Sequence, residues 1–307
     1  MSFIESLVQN YPIRKTKTQK EAFRQWFEQE AAKLGYEARS EKNGGNYNVV
    51  AGDPETAAVT FTAHYDTPAV MPFPNFITPK NVLAYILFQL VLVLVILAVA
   101  FGSAFLVVRL TKLPLLGSSI SMLVCFLLLG LMMFGPANKN CTNDNSSGVA
   151  AVMEIMSRMP EAQRSRAAFI LFDNEEKGLL GSSAYASKHK QVQKNKLLIN
   201  LDCVGDGEHI FFFANRKTRK LPAYALLEEA MKAQEGRQLH MEKLESSVYP
   251  SDQANFKLGI AVCACNKMKV LGYYLDKIHT AKDTVCHQEN MDFLGEGLSR
   301  FALSLEE

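Results

Sequence analysis

The stretch FDNEEKGLLGS, residues 172–182, sets Glu175 and Glu176 side by side at the end of an apolar run and follows them with glycines. The run AAFILF reads as a buried strand and the glycines as a turn. The pair then falls at the carboxyl end of a strand, where open α/β sheets place their chemistry. Adjacent carboxylates repel there unless a cation holds them, and a metal ion is the obvious candidate. Other side chains of metal-binding type occupy similar places. His64 and Asp66, in AHYDT, are two apart on an extended segment and point to one face. Asp144, in CTNDNSSG, precedes a helix; Asp202, in NLDCVGDG, ends an apolar strand; His279, in IHTAKDT, sits in a loop. Two imidazoles with three or four carboxylates suit zinc, and the oxygen-rich set also admits Mn2+ or Co2+. Five ligands exceed one tetrahedral catalytic site with an open position and suit two ions sharing a carboxylate. Each piece alone has a plainer explanation: H-x-D pairs are common, Asp144 is placed to cap a helix, and Asp202 is placed for a turn. What points to a metal centre is their joint occurrence, in order, at strand ends.

The elements that must position them alternate. KTQKEAFRQWFEQEAAKLG has helical spacing and ends at Gly35; YNVVAG and AAVTFTAHYDT read as strands. Further on, SSGVAAVMEIMSRM reads as a helix, RAAFILFDN as a strand, SSAYASKHKQVQ as a helix, and KLLINLDCVG and GEHIFFFANR as strands. LPAYALLEEAMKAQEG, a short buried strand GIAVCAC and a final helix NMDFLGEGLSRFALSL complete the chain. This order predicts an α/β fold with a mixed, mostly parallel sheet covered by helices on both faces.

One composition shift interrupts that pattern. The segments 81–108 and 113–137 contain no charged residue, and only a few residues with Arg109, Lys112 and Pro114 separate them. Each exceeds the roughly 20 apolar residues that cross a bilayer. Residues 81–135 are therefore expected to form a transmembrane helical hairpin, which returns the chain to the side it left. Residues 1–80 and 136–307 can then build one discontinuous domain on one face of the membrane. The first segment has an early acid and no long apolar core, unlike a secretory signal, so that domain is expected on the cytosolic side. Six cysteines without a zinc-type CxxC pair fit a reduced, intracellular chain. A net charge of +2 gives no case for a nucleic-acid partner. Almost no charge within the spans argues against a transporter. Ala98 and Gly102 form a small-xxx-small pair, a hint of helix packing or a homodimer.

The ordered motifs resemble a family. H-x-D, N-D-N-x-x-G, E-E-x-G-x-x-G-S, L-D and H-T-x-x-D-T look like the co-catalytic di-zinc exopeptidases typified by bacterial leucyl aminopeptidase, whose relatives include glutamate carboxypeptidase, transferrin receptor and glutaminyl cyclase. The resemblance runs from about residue 48 onward, with the hairpin as an insertion between H-x-D and N-D-N. It implies that His64 and Asp202 bind one zinc, Glu176 and His279 the other, and that Asp144 bridges the two. It implies further that Asp66 orients His64, that Asp283 orients His279 in a similar way, and that Glu175 is the general base. Tyr249 is a candidate oxyanion donor. The segment YPSDQANFKLGI matches a family motif near the substrate pocket, with Asp252 and Phe256 in place but Gln253 where histidine is common.

The activity implied is a membrane-anchored aminopeptidase acting at the bilayer surface on peptides, hydrophobic or membrane-associated ones among them. Carboxypeptidase action fits the same residues. A glutaminyl cyclase is disfavoured by the full ligand set, and a silent receptor-like domain by the intact Glu175.

Overall fold

The computed structural model describes residues 1–71, 73 and 75–305. The helices are α1 (Phe3–Asn10), α2 (Lys17–Lys33), α3 (Val82–Thr111), α4 (Pro114–Phe134), α5 (Gly148–Arg158), α6 (Leu180–Lys188), α7 (Lys190–Asn195), α8 (Pro222–Lys232) and α9 (Gln288–Ser304). The strands are β1 (Ala38–Asn43), β2 (Asn46–Ala51), β3 (Val59–His64), β4 (Ala167–Phe172), β5 (Leu197–Leu201), β6 (His209–Ala214), β7 (Gln238–Lys243), β8 (Gly259–Met268) and β9 (Gly272–Tyr274).

The strands form one sheet in the order β1-β2-β4-β3-β5-β8-β6-β7, with β9 added to β8. The central run β4-β3-β5-β8 is parallel throughout. Antiparallel pairing begins outside it, at β2 with β4 and at β6 with β8. Alternation along β4 shows how the two faces are filled: Phe169 and Leu171 join the large core under α1, α2, α5, α8 and α9, while Ile170 and Phe172 pack with Tyr185 and Val192 of α6 and α7. A sheet so covered leaves its parallel strand ends as the natural place for polar groups.

Several elements have no clear sequence signal. β1, ARSEKN, is an edge strand whose side chains are largely exposed, so hydrophobic alternation is missing. β7, QLHMEK, is the opposite edge and half-buried; only Leu239 and Met241 mark its inner face, too few to stand out as a strand. The expected helix SSAYASKHKQVQ breaks at His189, and GIAVCAC extends to ten residues because β9 folds back onto its far end.

Helices α3 and α4 are each long and apolar enough to cross a membrane, and only 6% of the most apolar window of either is buried. α3, of 30 residues, is about 45 Å long. Their side chains are exposed Leu, Val, Ile and Phe along the whole length, a surface that water does not stabilise.

Candidate metal centre

The polar side chains gather at the carboxyl ends of β3, β4 and β5. His64 is the last residue of β3, and its Nε2 lies 3.2 Å from Asp144 Oδ1 and 3.5 Å from Asp202 Oδ1. His279 Nε2 lies 3.0 Å from Asp144 Oδ2 and 3.3 Å from Glu176 Oε2. The five side chains thus form two groups, His64–Asp144–Asp202 and Asp144–Glu176–His279, with Asp144 in both. Glu175 falls in a third group with His64 and Glu176, beside the first two rather than within them. Donors bound to one zinc at about 2.0–2.2 Å stand roughly 3–3.5 Å apart, so these spacings fit the ion.

The loops are fixed by backbone contacts. Asn174 and Leu179, on either side of the glutamate pair, have φ of +52° and +60°; Cys203, after Asp202, has +56°; and His279 itself has +61°. Only one other described non-glycine residue, Lys112, has positive φ, so left-handed backbone concentrates at the site. Gly181 explains part of the glycine signature: a Cβ there would overlap the backbone of Asp173. Lys20 of α2 holds this turn through Asp173 (2.5 Å) and Asn174 (2.7 Å).

Asp66 lies 3.5 Å from His64 Nδ1, at the edge of hydrogen-bond reach, and its firmer contacts are elsewhere. It accepts from the backbone N–H of Glu175 at 2.9 Å and of Glu176 at 3.4 Å, joining the β3 and β4 loops. Two expectations need correction. Asp283 does not hold the imidazole of His279; its carboxylate accepts from the backbone N–H groups of Asn143 (2.8 Å) and Asp144 (3.0 Å), and so fixes the bridging residue instead. Tyr249 is buried and its hydroxyl donates to the carbonyl oxygen of Asp202 at 2.9 Å, which engages the proton an oxyanion would need. Asp144 also does not cap α5, whose N-cap is Ser147.

Asp252 is fully buried beside the cluster, with no hydrogen-bond partner on either oxygen, and burial pushes its pKa up to about 7. Gln253 fills the usual histidine position as structural glue, donating to the Tyr249 carbonyl and accepting from Asn200.

Residues without a motif complete the support. Arg14, wholly buried, donates from Nε to the Tyr65 carbonyl (2.5 Å) and from its terminal nitrogens to the Tyr11 carbonyl (2.6 Å) and Ser146 Oγ (3.0 Å). It ties the loop after His64 to the loop carrying Asp144. Asn145 accepts from Gly148 and Cys203 and donates to the Leu201 carbonyl, locking α5 to the end of β5. Ser251 donates to Asp202 Oδ2 at 2.6 Å. Asn145 stands inside the N-D-N motif, whereas nothing in the sequence around Arg14 separates it from neighbouring basic residues.

The electrostatics call for cations. Burial alone would lower the pKa values of both imidazoles. Glu175, Asp144, Asp202 and Asp66 around His64, and Glu176 and Asp144 around His279, outweigh burial and raise them well above the ordinary range. Glu175 is pushed well up by burial and by Glu176, Asp252 and Asp202, against the pull of His64. Glu176 is raised by burial first and by Asp144, and its Oε1 is buried with no partner. An unpaired carboxylate oxygen beside two imidazoles, with two adjacent glutamates that both resist ionising, is the chemistry of a metal site.

An α/β sheet carrying such a donor cluster at its parallel strand ends suits a metal-dependent peptidase. Residues 132–297, just over half of the 307, match the model of Peptidase family M28, and the chain belongs to that family. Similar solved structures include a Zn-dependent exopeptidase from Parabacteroides distasonis (14% identity, 99% of this chain and 96% of that one, TM-score 0.60). A glutaminyl cyclase from Porphyromonas gingivalis is also similar (17% identity, 97% and 94%, TM-score 0.57). So is the LapA aminopeptidase from Legionella pneumophila (15% identity, 99% and 70%, TM-score 0.57). At these identities the likeness is one of fold. Comparison with curated protein sequences returns no match. The family match begins at residue 132, so His64 and Asp66 lie outside it and are brought to the site by the fold.

Proposed function

We propose that this protein is a membrane-anchored aminopeptidase with two metal ions, zinc by preference. The observation that carries the reading is Asp144, whose two oxygens face His64 and His279 separately and so offer one atom to each of two ions. His64 and Asp202 would complete one site, Glu176 and His279 the other. Bound zinc supplies Lewis acidity, lowering the pKa of a coordinated water and polarising the scissile carbonyl. Glu175, outside both groups and held by its backbone on Asp66, takes the proton of the attacking water and returns it to the leaving amine.

The anchor is the hairpin 81–135, inserted into a catalytic domain of residues 1–80 and 136–307. The exposure of its apolar surface supports this reading. A cytosolic catalytic domain is supported by six free cysteines, two of them, Cys263 and Cys265, 3.8 Å apart and unbonded.

The test is metal analysis of the purified protein together with hydrolysis of aminoacyl fluorogenic substrates, free-amine against N-blocked. Two zinc ions per chain with cleavage of free-amine substrates alone supports the proposal. The fold shared with the glutaminyl cyclase favours one alternative, which one zinc per chain and cyclisation of N-terminal glutamine would establish in its place.

A further inference from the structure

A pocket of about 310 Å³ lies where the first turns of α2 meet the turn that follows β4. Its walls include five cationic side chains, Lys15, Lys17, Lys20, Arg24 and Lys177. Two acids share the lining, Glu21 and Asp173, and Asp173 is already bound by Lys20 at 2.5 Å. Among the described residues, Lys15, Lys17, Arg24 and Lys177 form no ion pair with a carboxylate.

The backbone adds to this charge. α2 has no acid in its first turn; Lys17 and Lys20 stand there instead, at the end of the helix where the peptide dipoles are themselves positive. Arg24 lies over the Tyr47 ring at 4.9 Å and donates to the Tyr65 hydroxyl at 3.1 Å, neither of which neutralises it. Like charges gathered in one concavity repel, and they concentrate an anion there.

The position beside the hairpin selects among anions. Lys15 Nζ donates to the Met133 carbonyl at 3.3 Å, in the last turn of α4, where carbonyls lack partners inside the helix. Lys15, Lys20 and Lys177 also line a narrow crevice with Met133, so the positive surface runs from the pocket to the foot of this span. A chain leaving a span enters the headgroup layer, roughly 5–8 Å deep. Tyr47, exposed on the pocket wall, is of the residue type that settles at that depth. Lys80, at the foot of α3, is by contrast occupied by Glu242 at 2.5 Å.

We propose that this pocket binds the phosphodiester of an anionic phospholipid and so seats the catalytic domain against a negatively charged leaflet. The proposal rests on the hairpin reading and adds a headgroup specificity to it. Each cation beside such a leaflet contributes a factor of about five in affinity, and salt weakens the attraction. Asp173, Asn174 and Lys177 line the pocket, so the bound headgroup would rest on the turn that carries Glu175 and Glu176.

The experiment is native mass spectrometry of the full-length protein in detergent, with dioleoylphosphatidylglycerol and dioleoylphosphatidylcholine as probes. The wild type should hold the phosphatidylglycerol about tenfold more tightly or better. Lys17→Gln should weaken that binding about fivefold and Lys17→Glu more than about tenfold, with phosphatidylcholine binding unchanged. Lys194→Glu makes the same charge change on the exposed side of α7, outside the pocket, and should bind as the wild type does. Inorganic phosphate at the lipid's concentration should not displace the lipid. Equal affinity for the two lipids, undiminished binding in Lys17→Glu, or an equal loss in Lys194→Glu overturns the proposal. Displacement by inorganic phosphate also overturns it and assigns the pocket to a soluble anion. Release of the wild type from membranes by alkaline carbonate removes the hairpin reading and the proposal with it, whereas retention without headgroup preference removes the proposal alone.

Discussion

His64 and His279 face one carboxylate from opposite sides, at 3.2 Å from Asp144 Oδ1 and 3.0 Å from Oδ2. Residues 215 positions apart in the chain (279 − 64) are thereby linked through a single side chain. Replacing Asp144 by Asn keeps the size and removes the charge. Asp144→Asn should bind less than half the wild-type zinc and lose activity, with its circular dichroism unchanged. Full metal occupancy in that variant would contradict the bridging role.

Glu175 offers the complementary case, because it stands outside both ligand groups. Glu175→Gln should retain zinc and lower kcat by about 10²–10⁴-fold, the range of general acid–base catalysis. Turnover close to wild type would remove Glu175 from the proton path.

Arg14 makes a prediction about stability and metal affinity together. Its guanidinium bonds Tyr11 in its own segment and Tyr65, Cys141 and Ser146 on the two loops it joins, and a lysine offers neither the plane nor the fork. Arg14→Ala leaves the Tyr65 carbonyl buried without that donor and should cost about 3 kcal/mol of stability. Arg14→Lys should fold and bind zinc more weakly than wild type. The checks are urea unfolding and a competitive zinc chelator titration; equal zinc affinity in Arg14→Lys would confine the residue to folding.

The pH dependence of stability has a contributor remote from the centre. Glu41 resists burial through Lys188, His189 and Asn43, which bring its pKa down to about 2. A carboxylate with a folded pKa below its unfolded value stabilises the fold above the unfolded value, and that contribution fades as pH falls from about 4.5 toward 2. Glu41→Gln should therefore lower the unfolding midpoint at pH 6 and have a smaller effect at pH 3. The same decrement at both values would assign the effect to packing.

The hairpin predicts behaviour rather than chemistry. Full-length protein should stay with membranes through alkaline carbonate extraction. A chain in which a short Gly-Ser linker replaces residues 81–135 should be soluble and still bind zinc. Loss of zinc along with solubility in that chain would make the hairpin part of the site's support.

Much of the centre was legible because strand ends followed by turn residues can be read locally, as at Phe172–Asp173 and Leu201–Asp202. The central strands were legible for the same reason: burial on both faces leaves unbroken apolar runs such as AAFILF and LLINL. The edges β1 and β7 were not, since β1 is largely exposed and β7, half-buried, has only Leu239 and Met241 on its inner face. Asp283 and Tyr249 do lie near the site, but they meet backbone groups of Asn143, Asp144 and Asp202 instead of an imidazole or an oxyanion. Spacing tells which loop a residue occupies and not whether its side chain meets a ring nitrogen or a backbone amide. Arg14 was invisible because its partners become neighbours only when the sheet closes.

Strand β4 lies between β2 and β3, and both apolar helices are made after β3 and before β4. A nascent chain therefore reaches the hairpin with an empty slot in the middle of its only sheet. The catalytic half-sheet has to wait, its two early segments unjoined, until the greasy arms have left the ribosome. The ligand-bearing loops after β4 and β5 come later still, so the cluster cannot close before both apolar helices have been made.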